Sequence, residues 1–304
     1  MLLKIETKEL YSILDMIRWI SSKLNNSNVY YGHGTNNSWD EAFYLVFSSL
    51  NLPIDTPKEV YHAKLTSKEK DYIFNLVNFR INKRIPVPYL TNIAWYYGLE
   101  LFINRNVIIP RSPIGKLIIN KFSNILKFKP KYILDMCTGS GCLAILMTNI
   151  YKNILVDAID ISYDALDVAE INIHNYNLDK KITPICSDLF QVLSPNSQYD
   201  LIIANPPYIS RKEINYLPKE FYYEPVVSLL SGNSSLCIIK KIISYSSKYL
   251  RKNGLLFCEI GTNKYKLIKQ YPKILFNWIK IYDSNIFYLT KKQLLFYKDY
   301  FKTI

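Results

Sequence analysis

Three segments of the sequence place polar side chains and glycines directly after predicted buried strands, where open α/β sheets bind their ligands. The first follows the apolar run 132–135 and combines an acid, two glycines and small side chains. Its candidate residues are Asp135, Cys137, Thr138, Gly139, Ser140 and Gly141. Two glycines let a ligand lie against bare backbone at the amino end of a helix. The spacing is neither that of a dinucleotide turn nor that of a P-loop. A tight turn without a ligand is the alternative.

Two further acids end the next two predicted strands. Asp160 lies 19 residues after Gly141, where a carboxylate can accept both hydroxyls of a ribose. Asp188 could accept an exocyclic amine of adenine, with neighbours such as Leu189 covering the ring. Helix N-capping is the alternative for either acid. Ser162 is the better cap for its helix, which predicts that Asp160 is free, whereas both interpretations stay open for Asp188.

The third segment is Asn205-Pro206-Pro207-Tyr208, which closes the apolar run 200–204. Proline has no N–H, so carbonyls in such a turn tend to lack backbone partners and can accept hydrogen bonds from a ligand. We expect Asn205 Oδ1 and the Pro206 carbonyl to form a pair of acceptors for one –NH₂ group. Tyr208 can then stack on the planar group that carries this nitrogen. A rigid surface turn is the alternative.

The elements that position these segments follow from hydrophobic periodicity. Apolar residues at helical spacing predict three helices near the start of the chain, over 7–22, 39–50 and 67–83. Pro86 and Pro88 then break the pattern, and the aromatic-rich stretch 89–109 predicts a β-ribbon.

Beyond Pro113 the pattern changes to apolar runs alternating with helical stretches. The predicted strands are 132–135, 154–159, 182–186, 200–204, 255–260, 278–283 and 286–290. The predicted helices are 141–149, 162–176 and 235–250. Strand–helix alternation predicts an α/β fold with a parallel, doubly wound sheet.

Composition limits the partners and the compartment. The net charge of +13 fits a partner that is RNA, or a protein that binds RNA. However, 31 of the 38 cations are Lys, and Arg is the usual residue for directed phosphate contacts, so the charge alone slightly favours codon drift toward Lys. Five cysteines without a CxxC pair and three distant histidines predict neither disulfides nor a metal site. Charges interrupt the apolar start, which predicts neither a signal peptide nor a membrane span. We therefore expect a soluble protein of a reducing cytoplasm.

Together, the three segments resemble the S-adenosylmethionine methyltransferases that methylate planar nitrogens, over residues 113–304. The resemblance implies a Rossmann-like sheet of seven strands and S-adenosylmethionine as cofactor, leaving as S-adenosylhomocysteine. It implies that the Asp135–Gly141 turn, Asp160, Asp188, Leu189, Asn205 and Arg111 bind the cofactor. It also implies that Asn205, Pro206, Pro207 and Tyr208 carry the catalysis.

Residues 84–113 look like the helical-plus-hairpin N-terminal region of the protein-glutamine methyltransferases. This resemblance implies a helical substrate-recognition domain over 1–85, a β-hairpin linker over 86–112 and a methyltransferase domain over 113–304. Cys137, where release-factor enzymes usually have Gly, and Tyr31-Gly-His-Gly-Thr35 look like the branch that modifies a large-subunit ribosomal protein. Two departures are Leu189, in place of an aromatic cover, and Ser235, in place of a glycine.

The implied reaction is methylation of a glutamine side-chain amide in that ribosomal protein. His33, far from the motifs in sequence, is expected to be structural or to dock the substrate. Three alternatives remain. The same chemistry could act on a release-factor glutamine or on an exocyclic amine of a nucleic-acid base, although seven Arg are few for base contacts. An inactive ribosome-assembly or RNA-binding protein would predict erosion of Asp160, Asn205 or Tyr208, and all three are intact.

Overall fold

The computed structural model describes residues 9–123 and 125–301. Three helices form the N-terminal unit: α1 (Ile13–Asn25), α2 (Ser38–Ser49) and α3 (Ser67–Lys83). The first helix starts later than predicted because Ser12 caps it, accepting from the amide of Asp15. Residues 7 and 8 of the predicted helix lie outside the described residues. A 3-10 turn, Lys58–His62, precedes α3, and a short helix, α4 (Val87–Thr91), follows it.

An antiparallel hairpin connects this unit to the sheet. Strands β1 (Ile93–Tyr96) and β2 (Leu99–Phe102) pair around Gly98, which has a φ of +81°. The ribbon is shorter than the predicted 89–109 because α4 takes up its start. Helix α5 (Ile114–Ile119) follows the hairpin.

A seven-stranded sheet forms the rest of the fold, in the order β5-β4-β3-β6-β7-β9-β8. Its strands are β3 (Tyr132–Met136), β4 (Leu155–Asp160), β5 (Ile182–Cys186), β6 (Tyr199–Ala204), β7 (Leu250–Gly261), β8 (Asn277–Ile281) and β9 (Ser284–Thr290). Strands β3 to β7 are parallel, and apolar residues of both faces are buried beneath helices, which confirms the predicted doubly wound α/β fold.

The last two strands depart from the predicted parallel sheet. Strand β9 pairs antiparallel with β7, and β8 pairs antiparallel with β9. The physical reason is that residues 282–283 join β8 directly to β9, and a turn this short permits only an antiparallel pair.

The remaining helices follow the strands. They are α6 (Cys142–Ile150), α7 (Tyr163–Asn175), α8 (Val226–Leu229), α9 (Cys237–Tyr249), α10 (Lys264–Gln270), α11 (Lys291–Phe296) and α12 (Lys298–Phe301). Two 3-10 turns, Ile214–Tyr216 and Lys219–Tyr223, lie between β6 and α8. Asn172 of α7 joins two regions, since it bonds the backbone of Phe102 in the hairpin and the carbonyl of Ser140. Within residues 9–123 and 125–301, every helix is too short or too polar to cross a membrane.

Candidate active site

Asp135 lies fully buried in the central strand β3. Its Oδ2 accepts a hydrogen bond of 2.6 Å from the hydroxyl of Thr138, whereas its Oδ1 has no partner in the described part of the chain. Burial raises the pKa of Asp135 to about 7. The strand therefore ends in a carboxyl group with one oxygen still open to a donor.

The turn after β3 depends on left-handed backbone at three positions. Gly139 and Gly141 have φ values of +54° and +78°, and Gly141 caps α6. A side chain on Gly139 would meet no atom within 4 Å, so the space beside this backbone is open. Cys137 has a φ of +61°, which is unusual for a residue with a side chain. A ligand can thus lie directly on the Gly139 backbone.

Asp160, at the end of β4, lies beside this turn. Its Oδ2 accepts from the Gly139 amide at 2.9 Å, and its Oδ1 accepts from the Ser162 amide at 3.1 Å. Ser162 caps α7, as predicted. This leaves Asp160 out of the capping role, as predicted, although the two turns bring backbone amides against both of its oxygens. Each oxygen keeps a second lone pair for a ligand.

Asp188 and Leu189 follow β5 at the same edge of the sheet. The Asp188 carboxylate accepts from the Gln191 side chain at 3.2 Å and lies 3.9 Å from Lys241 Nζ. Leu189 has a φ of +56° and is buried in the core beneath the sheet edge. The structure thus brings Asp135, Asp160 and Asp188 to the carboxyl ends of neighbouring strands.

The Asn205-Pro206-Pro207-Tyr208 turn follows β6, next to β3 in the sheet. The Oδ1 atom of Asn205 is buried and accepts no hydrogen bond within the described residues. The Pro206 carbonyl likewise has no donor among them. Buried acceptors are normally satisfied, so an unpaired one indicates a missing partner.

Tyr208 is held by the segment that ends β7. Its hydroxyl donates to Glu259 Oε1 at 3.1 Å, and its carbonyl accepts from Asn263 Nδ2 at 2.8 Å. The ring lies against Gly261, where a Cβ atom would come within 2.6 Å of Cε2. Burial raises the pKa of Tyr208, so the phenol stays protonated.

Arg111 is already engaged with protein groups. Its guanidinium forms a two-pronged pair with Glu224, in which Nη2 lies 2.7 Å from Oε2, and it also donates to the Ile109 carbonyl. Burial opposes ionisation of Glu224, but Arg111 outweighs it and holds the pKa of Glu224 below its ordinary value. His33 Nε2 lies 3.7 Å from the same carboxylate. Contact between Arg111 and a cofactor stays a prediction.

Glu220 carries a second buried cluster, which sequence reasoning missed. Its carboxylate accepts from Arg80 at 2.9 Å, from Arg84 at 2.7 Å and from the Tyr30 amide at 2.8 Å. Glu41 of α2 accepts from the same Arg80 at 2.6 Å. The segment between Tyr208 and α8 is therefore bonded to the N-terminal helices. The only sequence signal was Arg84, which begins a motif assigned to the hairpin region.

Comparison with known proteins agrees with this architecture. Residues 115–269 match the family model described as methyltransferase small domain. The chain is 39% identical over 297 residues to the ribosomal protein uL3 glutamine methyltransferase of Francisella tularensis subsp. tularensis, covering 96% of this chain and 94% of that one. It is also 39% identical to the enzyme of the same description from Neisseria meningitidis serogroup A, covering 95% and 96%.

The fold, the site and these matches define a methyltransferase. Within that class, the chain belongs to the family of ribosomal protein uL3 glutamine methyltransferases.

Solved structures agree on the fold. The hMettl16 catalytic domain, crystallised with MAT2A 3'UTR hairpin 1, superposes with a TM-score of 0.53 over 82% of this chain and 91% of that one, at 16% identity. The same domain in complex with hairpin 6 superposes with a TM-score of 0.50 over 73% of this chain and 81% of that one, at 17% identity. At such identity the likeness shows the fold alone.

Proposed function

We propose that this protein transfers a methyl group from S-adenosylmethionine to the side-chain amide nitrogen of a glutamine in ribosomal protein uL3. The observation that carries the proposal is the buried Oδ1 of Asn205, which, like the neighbouring Pro206 carbonyl, has no hydrogen-bond donor within residues 9–123 and 125–301. A primary amide has two N–H bonds on one nitrogen, and these two acceptors can receive both. The family relationship supports the choice of protein substrate.

The residues at the strand ends fit the cofactor. Asp160 keeps lone pairs for ribose hydroxyls, the open backbone at Gly139 can lie under the methionine part, and Asp188 can accept the adenine amine. The unpaired Asp135 Oδ1 offers one more acceptor, for an ammonium group. Bound S-adenosylmethionine supplies a sulfonium methyl group as the electrophile.

The chain's own task is to make an amide nitrogen reactive. Its lone pair is delocalised, and full loss of conjugation costs roughly 18–20 kcal/mol. Asn205 and Pro206, by holding both N–H bonds, orient the nitrogen and favour partial pyramidalisation, while Tyr208 supports the amide plane. Such positioning accounts for much of the rate acceleration in enzymes. The amide proton can leave after transfer, so no general base is needed beforehand.

We propose that the reaction takes place in the cytoplasm. All five cysteines are free thiols, which supports a reducing compartment. The excess of lysines supports a further part of the proposal, which is contact with RNA near the substrate.

The test is incubation of the purified protein with S-adenosylmethionine and purified uL3, followed by peptide mass spectrometry. We expect one additional methyl group on one glutamine, and a loss of rate on the order of a hundredfold in Asn205→Ala. Ser49→Ala, a change on the distant helix α2, is the control and should keep the wild-type rate. Methylation of RNA, or of release factors but not of uL3, would overturn the proposal.

A further inference from the structure

Glu259 differs from the other buried glutamates of the described chain. Glu41, Glu220 and Glu224 each contact an arginine. Glu259 is only 3% exposed and has no cation within 4 Å among the described residues. Burial of a carboxylate lowers the stability of the fold unless hydrogen-bond donors surround it, so the groups around Glu259 are decisive.

The donors to Glu259 are three hydroxyl groups from three separate segments. Ser112, before α5, donates to Oε2 at 2.6 Å. Tyr208 and Ser284 donate to Oε1 at 3.1 Å and 3.2 Å. The carboxylate therefore joins the hairpin exit and the start of β9 to the tyrosine of the active-site turn.

Two neighbours of Glu259 hold the same tyrosine from other sides. Gly261 leaves room for the ring, and Asn263, itself buried, donates to the Tyr208 carbonyl. We call Glu259, Gly261 and Asn263 the tyrosine cradle. The cradle thus contacts the hydroxyl, the ring and the backbone of Tyr208.

We propose that Glu259 is a positioning residue for methyl transfer, acting through the Tyr208 hydroxyl to hold the ring plane on which the substrate amide rests. The inference rests on the proposed function. The carboxylate accepts from the phenol and takes no proton during the reaction. Removing either member of the contact should therefore release the ring to the same extent.

The test is a double-mutant cycle with Tyr208→Phe and Glu259→Gln, measuring kcat and KM for uL3. We expect each change to lower kcat by about tenfold or more, and the double variant to be no slower than the worse single one. KM for uL3 and the affinity for S-adenosylhomocysteine should stay within about twofold. Glu41→Gln, an equally buried glutamate, is the control, and its effect on kcat should multiply with that of Tyr208→Phe.

The proposal is wrong if the effects of Tyr208→Phe and Glu259→Gln on kcat multiply in the double variant, or if these variants also lose affinity for the cofactor. Gly261→Ala tests it with the carboxylate intact, because the added methyl group must displace the ring. An unchanged kcat in that variant would contradict the role of the cradle.

A second measurement needs no substrate and so separates this inference from the proposed function. In protein labelled with fluorotyrosine, the fluorine resonance that Tyr208→Phe removes should move in Glu259→Gln and stay in place in Glu41→Gln. A resonance that does not move in Glu259→Gln would refute the contact, whatever the substrate proves to be.

Discussion

The carboxylate of Asp160 accepts a hydrogen bond from the Gly139 amide, so the acid that ends β4 holds the turn that follows β3. Asp160 therefore has two tasks in the proposed site: it shapes the turn and offers lone pairs to the ribose. We expect Asp160→Ala to weaken binding of S-adenosylhomocysteine by about tenfold to a hundredfold, since a hydrogen bond to a charged group contributes about 1.5–3 kcal/mol. Isothermal titration calorimetry measures the change.

Ser162→Ala is the matched control for Asp160. It removes the α7 cap and should lower the free energy of unfolding by about 1 kcal/mol with cofactor affinity unchanged. Equal affinities for wild type and Asp160→Ala would remove Asp160 from the ribose role.

The open backbone at Gly139 predicts a loss of binding without a large loss of stability. Both Gly139 and Gly98 have positive φ values and open space where a Cβ atom would lie, so alanine should cost each about 1–2 kcal/mol of strain. Only Gly139→Ala should also weaken S-adenosylhomocysteine binding, because its methyl group would occupy the ligand's space. Urea unfolding and calorimetry on both variants check this. A similar loss of affinity in Gly98→Ala would mean that strain alone is responsible.

His33 predicts a stability loss in mild acid. Burial lowers the pKa of His33 to about 4, and Arg111 adds to the shift. As the pH falls, His33 is protonated in the unfolded chain first, near the ordinary pKa of 6.5. The free energy of unfolding is therefore highest above that pH and decreases as the pH drops toward 4. Between pH 7.5 and 5, wild type should lose about 2 kcal/mol more than His33→Asn.

Urea unfolding at both pH values measures the loss of free energy of unfolding for each protein between its own values at the two pH values. His174→Asn is the control, because this side chain is 81% exposed, and its profile should follow wild type. If wild type and His33→Asn lose stability in parallel, His33 is not the titrating group.

For the Arg111–Glu224 pair, we expect removal of one charge to lower the free energy of unfolding more than removal of both. Arg111→Met leaves a buried carboxylate without its cation and should lower the free energy of unfolding by about 3–5 kcal/mol at pH 7. Arg111→Met with Glu224→Leu should recover part of that loss, because both charges are then gone. The affinity of the double variant for S-adenosylhomocysteine decides the predicted cofactor contact: a loss supports it, and an unchanged value points to a structural role.

The local signals in the sequence were sufficient for the strands and the turns. The run 200–204 and the Asn-Pro-Pro-Tyr that follows it could be predicted directly, because a continuous apolar run and the restrictions of proline are local properties of a few residues. The same applies to the Ser162 cap. The antiparallel end of the sheet was missed because the strand–helix alternation of the earlier strands was extended to the last two, although the two residues between the predicted strands 278–283 and 286–290 are too few for a parallel crossover.

The long-range contacts of the buried glutamates could not be predicted from the sequence. Glu220 meets Arg80 across 140 positions and Arg84 across 136, and Glu259 meets Ser112 across 147. In sequence each is an ordinary charged residue with no local pattern. Packing of the N-terminal helices against the segment after Tyr208 brings Glu220 to its arginines, and packing of the hairpin exit against β7 brings Ser112 to Glu259. The contact of Asp160 with the Gly139 amide was missed for the same reason, since it depends on the adjacent strands.

The loop 209–230 is closed at its base, where Ile209 pairs with Leu230, and its Glu220 is bonded to Arg80 and Arg84 of the N-terminal unit. The loop and the N-terminal unit, which are far apart in the sequence, are therefore linked by these ion pairs. A loop without this carboxylate would leave two arginines without their partner. An engineered exchange of this loop must therefore keep Glu220, or replace Arg80 and Arg84 together with it.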